Sequence, residues 1–271
     1  MAKKVGALYG IAWIETWLAG CYAYMGELQK AIPIFEDSLA LDKRIKYTSH
    51  VSYALWTLGT CYFWLGEWGK SLKYLIEARD IAEKIGEYQA YANAIWSLGE
   101  LFMEMEDYVE AEKYFNECLS VYEKAGETDI QFIDVFPSLS KLYLKKGEIE
   151  KAKELIEKTY EYSTKRKRRL YIAGADMLKA MLFREQKNWE QSIQHFENSL
   201  QEYKSLNVQK WYVYSFAELL YEYGLMYLDR NEEGDKEKAY SLLNQALEIY
   251  QRTDAKKRIE KIIAKKKLLT A

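Results

Sequence analysis

Leu58-Gly59-Thr60-Cys61-Tyr62, with Ser71 and Leu75 following, is the stretch that decides the fold of this chain. The same order returns at Leu18-Ala19-Gly20-Cys21-Tyr22 and Leu98-Gly99-Glu100-Leu101-Phe102. It returns again at Leu139-Ser140-Lys141-Leu142-Tyr143, Lys179-Ala180-Met181-Leu182-Phe183 and Tyr223-Gly224-Leu225-Met226-Tyr227. The spacing is about 40 residues, a period that marks units which bury their apolar faces only against their neighbours.

Such an array grows in one dimension, so 271 residues need not divide into domains, and a single array over 1–271 is expected. Apolar residues make up 49% and charged residues 30%, enough for both a core and a solvated surface. A net charge of −2 gives no whole-molecule field that would select nucleic acid or an anionic membrane. Three cysteines, an odd number, do not suit a disulfide framework, and Cys21, Cys61 and Cys118 read as small buried residues. No stretch reaches the roughly 18 unbroken apolar residues of a membrane span. Met1-Ala2-Lys3-Lys4 does not open a secretory signal. A reducing, cytoplasmic setting is the expectation, with no cofactor and no membrane partner.

Each unit divides into two helices. Val51, Leu55, Leu58, Tyr62 and Leu65 recur every three or four residues, as do Leu72, Leu75, Ile76 and Ala78. Gly26, Gly66 and Gly147 fall between the helices of a unit, and Gly86 and Gly126 at unit ends, where a left-handed residue can stop a helix. Small residues follow the apolar marker (Ala19, Gly59, Gly99, Ser140, Ala180, Gly224), and Ala31, Ser71, Ala111, Ala152, Ser192 and Ala239 answer on the second helix. Phe35, Leu75, Phe115, Ile156, Phe196 and Leu243 supply bulk beside them. Ser38, Ala78, Cys118, Thr159, Ser199 and Ala246 mark a third close contact, expected toward the next unit.

This alternation resembles the tetratricopeptide repeat along nearly the whole chain, with units longer than that family's usual period of about 34. The resemblance implies an all-α superhelix of six helical hairpins plus a C-terminal capping helix. Repeats are placed at about 12–51, 52–91, 92–132, 133–172, 173–216 and 217–255, with the cap at about 256–271. The fifth unit departs at Lys179 and Lys187, and the sixth carries an inserted loop over Asn231–Lys236. Pro137 either kinks a helix starting near Thr128 or lies in the first turn of a shorter one capped by Asp134. Residues 2–6 align with Ala82–Gly86 and resemble the end of a preceding repeat, as in a fragment or a trimmed first unit. Leu8, Ile11 and Ile14 then leave an apolar N-terminal face open to a further layer or to a homo-oligomer. Long-unit arrays ending in a helix like Lys256–Lys267 look like the sensor portions of microbial signalling ATPases, cyclases and transcription regulators. That likeness implies an effector module upstream.

In this family the first helices line the inner surface. Facing it here would be Trp13, Thr16, Gly20, Tyr53, Trp56, Thr60, Phe63, Trp64, Asn93, Trp96, Glu100 and Met103, then Asp134, Lys141, Lys145, Met177, Arg184, Glu218 and Tyr221. The first three units offer an aromatic floor and the next two turn basic. Exposed aromatics suit an anchor site for a peptide or helix from another protein. Equally, Trp13, Trp56 and Trp96 can stack between neighbouring units. The Lys/Asn/Arg clamp with which some members hold a C-terminal carboxylate is missing. Thr16, Gly20, Thr57, Asn93 and Ser97 stand in its place.

Lys165-Arg166-Lys167-Arg168-Arg169 is the sharpest charge run and reads as a solvated turn before it reads as a phosphate contact. Gly69-Lys70-Ser71 lacks the first glycine and the strand of a phosphate-binding loop. His50 and His195 lie in different units without ligand spacing. The expectation is a non-enzymatic scaffold or sensor that binds protein or peptide. A small-molecule or nucleotide sensor, or a homo-oligomerisation module, is the alternative.

Overall fold

The computed structural model describes residues 2–126, 129 and 134–270, and every regular element among them is a helix. The chain divides into two compact units, Met1–Glu127 and Thr128–Ala271.

In the first unit α1 (Ala2–Tyr24) pairs with α2 (Leu28–Ile45), α3 (Thr48–Leu65) with α4 (Trp68–Ile85), and α5 (Tyr88–Glu104) with α6 (Tyr108–Ala125). In the second, α7 (Phe136–Lys146) pairs with α8 (Ile149–Lys165) and α9 (Arg169–Glu185) with α10 (Trp189–Ser205). A single turn, α11 (Val208–Trp211), precedes the pair α12 (Val213–Arg230) and α13 (Asp235–Arg252). The last helix, α14 (Lys256–Thr270), packs on α13, burying Ile262 and leaving Lys256, Lys257, Lys261 and Lys267 exposed.

The turns follow the glycines. Gly26, Gly66, Gly86, Gly126 and Gly147 all have φ between 74 and 80°. Glu106 and Lys187 hold the same left-handed conformation at φ 64 and 56° without glycine's freedom. We therefore expect Lys187→Gly to stabilise the second unit by about 1 kcal/mol, read as a rise of about 2–4 °C in Tm.

Other turns differ from the reading. Helix α1 runs unbroken through Gly6 and Gly10, so no turn separates residues 2–6 from the helix that carries Trp13. The inserted loop is shorter than expected, because Asp235 already begins α13. Pro137 lies in the first turn of a short α7, whose N-cap is Val135 and not Asp134. The placed repeat boundaries at 51/52, 91/92, 172/173 and 216/217 fall inside α3, α5, α9 and α12. Their starts carry no capping side chain, with Tyr47, Glu87, Arg168 and Tyr212 at the N-cap positions. Periodicity alone therefore could not phase them. The 132/133 boundary lies outside the described residues.

In three hairpins the glycine of the first helix receives the bulky residue of the second. A Cβ built on Gly99 would stand 2.5 Å from the Phe115 ring, one on Gly59 2.7 Å from Leu75, and one on Gly224 3.0 Å from Leu243. The third small position works differently from the expectation, because it reaches back into its own hairpin. Ser38 Oγ donates to the Ala12 carbonyl, Cys118 Sγ to that of Ala92, and Ser199 Oγ to that of Ala173, each 26 residues away. In the second hairpin, where Ala78 replaces the donor, Ser52 on the opposite helix donates to the Ala78 carbonyl instead, again across 26 residues.

Candidate functional site

The inner-face residues of α3 and α5 sit at three- and four-residue intervals, so one stripe of each helix carries them. Tyr53, Trp56, Thr60, Phe63, Trp64, Asn93, Trp96 and Glu100 are all half-buried, and Trp13 on α1 is exposed. Trp13 packs at a tilt against His50 and Tyr53 at centroid distances of 4.7 and 5.9 Å, and its Nε1 donates to the Tyr47 hydroxyl at 3.1 Å. Tyr53 meets the Trp56 ring edge-on at 5.1 Å, and Trp56 Nε1 donates to Ser97 Oγ on α5 at 2.8 Å. Trp64 contacts Tyr24 of α1 at 5.7 Å. The aromatic floor is thus stitched between adjacent first helices while one side of it stays open to solvent. Trp56 and Phe63 also pack on the Leu75, Leu98 and Leu101 core. The Thr60 hydroxyl is turned to its own helix, donating to the Trp56 carbonyl.

Several expected inner-face residues are elsewhere. Thr16 is buried within its hairpin, 3.0 Å from Ser38 Oγ, and Met103, Met177 and Tyr221 are buried too. The basic character expected in the second unit is neutralised. Lys141 Nζ donates to Glu218 at 2.6 Å. Arg184 binds Glu222 at 2.8 Å and lies 3.3 Å from Asp229. Lys145 is exposed. Lys179, standing where other units have an apolar marker, lies 3.3 Å from the centre of the Tyr160 ring. Burial there holds its ammonium below the usual lysine range, with Asp176 acting in the opposite sense.

The Lys165–Arg169 run spans the turn between α8 and α9, with Lys167 left-handed at φ 52°. Arg166 pairs with Asp129 at 3.0 Å and Arg169 with Glu202 at 2.5 Å, which fits a structural turn. Cys61 and Cys118 are buried as expected, and burial pushes the Cys61 thiol pKa up. Cys21, expected to be buried, is exposed on α1, beside the exposed Trp17 and Leu18.

One feature escaped the sequence reading. His50 Nδ1 and Asp42 Oδ2 lie 2.6 Å apart with both side chains fully buried, tying α2 to α3. Both depart from the repeat: 40 residues on, Asp42 is answered by Ala82 and His50 by Ala90. That double departure was the available signal. His195 similarly faces Asp176 at 2.9 Å and stacks on Phe183. Among the described residues no three His, Cys, Asp or Glu side chains converge as a metal site, and no helix is long and apolar enough to cross a membrane.

Residues 50–124 and 91–165 match the tetratricopeptide repeat family model. Residues 50–165 are tetratricopeptide repeats. No curated protein sequence matches it. Among solved structures, aspartyl phosphate phosphatase F from Bacillus subtilis superposes with a TM-score of 0.71 at 17% identity over 89% of this chain. The chain spans only 60% of that protein's length. NprR in complex with its cognate peptide NprX gives 0.67 at 17% identity over 96% of this chain and 71% of NprR. A signal transduction ATPase with a tetratricopeptide repeat sensor, from Pyrococcus horikoshii, gives 0.56 at 17% identity over 91% and 42%. At this identity the likenesses establish a shared repeat fold.

Proposed function

We propose that the first unit is a protein-binding module that takes a peptide or helix along the inner face of α1, α3 and α5. The observation that supports this most is the open stripe of aromatics from Trp13 through Tyr53, Trp56 and Trp64 to Trp96, with Glu100 as its one charged member. Rings held edge-on and stacked offer large apolar area in few conformations, the usual composition of an interaction hot spot. A peptide complex on the similar fold of NprR is in keeping with this reading. The ion-paired Lys141 and Arg184 are left out of the site. Binding is read here as apolar and not steered by charge.

The test is a peptide-display selection on the whole chain, followed by fluorescence anisotropy with a selected peptide. Trp96→Ala or Tyr53→Ala should weaken binding about tenfold or more, the effect of an anchor residue worth about 1.4 kcal/mol. Val109→Ala, at an exposed site on α6, should leave it unchanged. Peptides whose affinity ignores both aromatic substitutions would remove this face as the site.

A further inference from the structure

We propose that the chain pairs with a second copy of itself through the outer face of α1, about a two-fold axis passing near Ile14. The repeat supplies the comparison. Forty residues after Ile11, Ile14, Leu18 and Cys21 stand Val51, Ala54, Leu58 and Cys61 of α3, all buried on the side where Asp42 of α2 meets His50. Forty further on, Ala94, Leu98 and Leu101 of α5 are buried on the side that packs on α4. On α1 the same positions face water: Ile11 is 44% exposed, Ile14 69% and Leu18 47%. Trp17 beside them is 65% exposed. A contiguous apolar stripe of this kind marks an interaction surface.

The identity of the occupant follows from one substitution within the pattern. Where α3 and α5 carry Ala54 and Ala94, which let the preceding helix approach closely, α1 carries Ile14. A helix docked as α2 docks on α3 would collide with that side chain. Antiparallel self-pairing accommodates it. With Ile14 against its mate, Leu18 of one copy lies opposite Gly10 of the other, since the two are four residues either side of position 14. Gly10 is exposed, and a Cβ there would meet nothing within 4 Å, so it offers a notch for the leucine. From Val5 to Tyr24 the only charge is Glu15, which lies at the edge of this stripe, so the apposed surface is otherwise apolar. An isologous contact also closes at two copies and does not propagate.

Sedimentation of the full chain across a concentration series should show twice the 32.0 kDa chain mass, reverting to one chain in Ile14→Asp. Air oxidation of Ile14→Cys should give a disulfide-linked dimer, whereas the native Cys21, displaced from the axis, should give none. A single-chain mass at every concentration together with no Ile14→Cys cross-link would overturn the proposal and leave the face to a helix of another protein. A dimer that survives Ile14→Asp would overturn it as well. If Ile14→Asp fails to fold, the cross-linking pair alone decides.

Discussion

Gly99→Ala should destabilise the first unit by about 2 kcal/mol, although the same change in an open helix stabilises. Alanine favours helix by about 1 kcal/mol over glycine. At Gly99 that gain is outweighed, because the new methyl would stand 2.5 Å from the ring of Phe115, which is fully buried and cannot withdraw. Inserting a methyl into a packed core costs about 1–3 kcal/mol, more when the neighbour is rigid. Gly20→Ala is the control. That glycine lies within α1 with nothing within 4 Å of the added atom, so stability should rise. Urea midpoints for the two variants should therefore move in opposite directions. A second change, Gly99→Ala with Phe115→Leu, should recover part of the loss relative to Phe115→Leu alone. Equal shifts for Gly99→Ala and Gly20→Ala would show that the ring in the notch does not set the helix spacing.

Asp235→Ala should cost the second unit about 3 kcal/mol, the range for removing one partner of a buried ion pair. Asp235 is fully buried and accepts from Arg230 Nη2 at 2.6 Å, Arg230 Nε at 2.8 Å and the Glu232 backbone N–H at 2.9 Å. It closes the turn between α12 and α13 and opens α13 with a negative charge at the helix N-terminus. The Arg230 hydrogen bonds hold its carboxyl below the ordinary aspartate range, burial opposing and the Glu232 N–H assisting. The folded state thus binds this proton less readily than the unfolded chain. Its contribution to stability is complete above the unfolded aspartate pKa of about 3.9 and is lost as pH falls toward and through the lower folded value. Thermal melts of wild type and Asp235→Ala should differ most at neutral pH and converge in acid. A gap that widened in acid would contradict the geometry at this turn.

Much of this architecture was legible from side-chain size alone. Gly59, Gly99 and Gly224 face Leu75, Phe115 and Leu243, and the glycine turns fall where a left-handed residue was expected. The Lys256 helix packs on α13 through its narrow apolar stripe, burying Ile262. Three things were not legible, each for a physical reason. The first helices begin without polar caps at Tyr47, Glu87 and Arg168, so only the phase of the pattern could place them. The carboxylates that neutralise Lys141 and Arg184 lie 77 and 38 residues downstream, and a charge's partner is not encoded in local spacing. The role of Ser38, Cys118 and Ser199 was misplaced because a small residue signals close approach without saying to which helix. The aromatic stripe was half-read. The residues named from Tyr53 to Glu100 on α3 and α5 are half-buried, while Thr16 and Met103 are drawn inward by packing.

The bonds that cross four of the hairpins between residues 26 apart, three of them in the first unit, bear on any ligand the inner face receives. A hairpin fastened by its turn at one end and by a hydroxyl, thiol or serine–carbonyl contact at the other cannot splay at its open mouth without breaking that clasp. Tyr53 and Trp56 ride on such a fastened strut, so their helix is already arranged before anything arrives. Association then sacrifices little backbone freedom on this side, and the entropy lost on binding falls mainly on the partner.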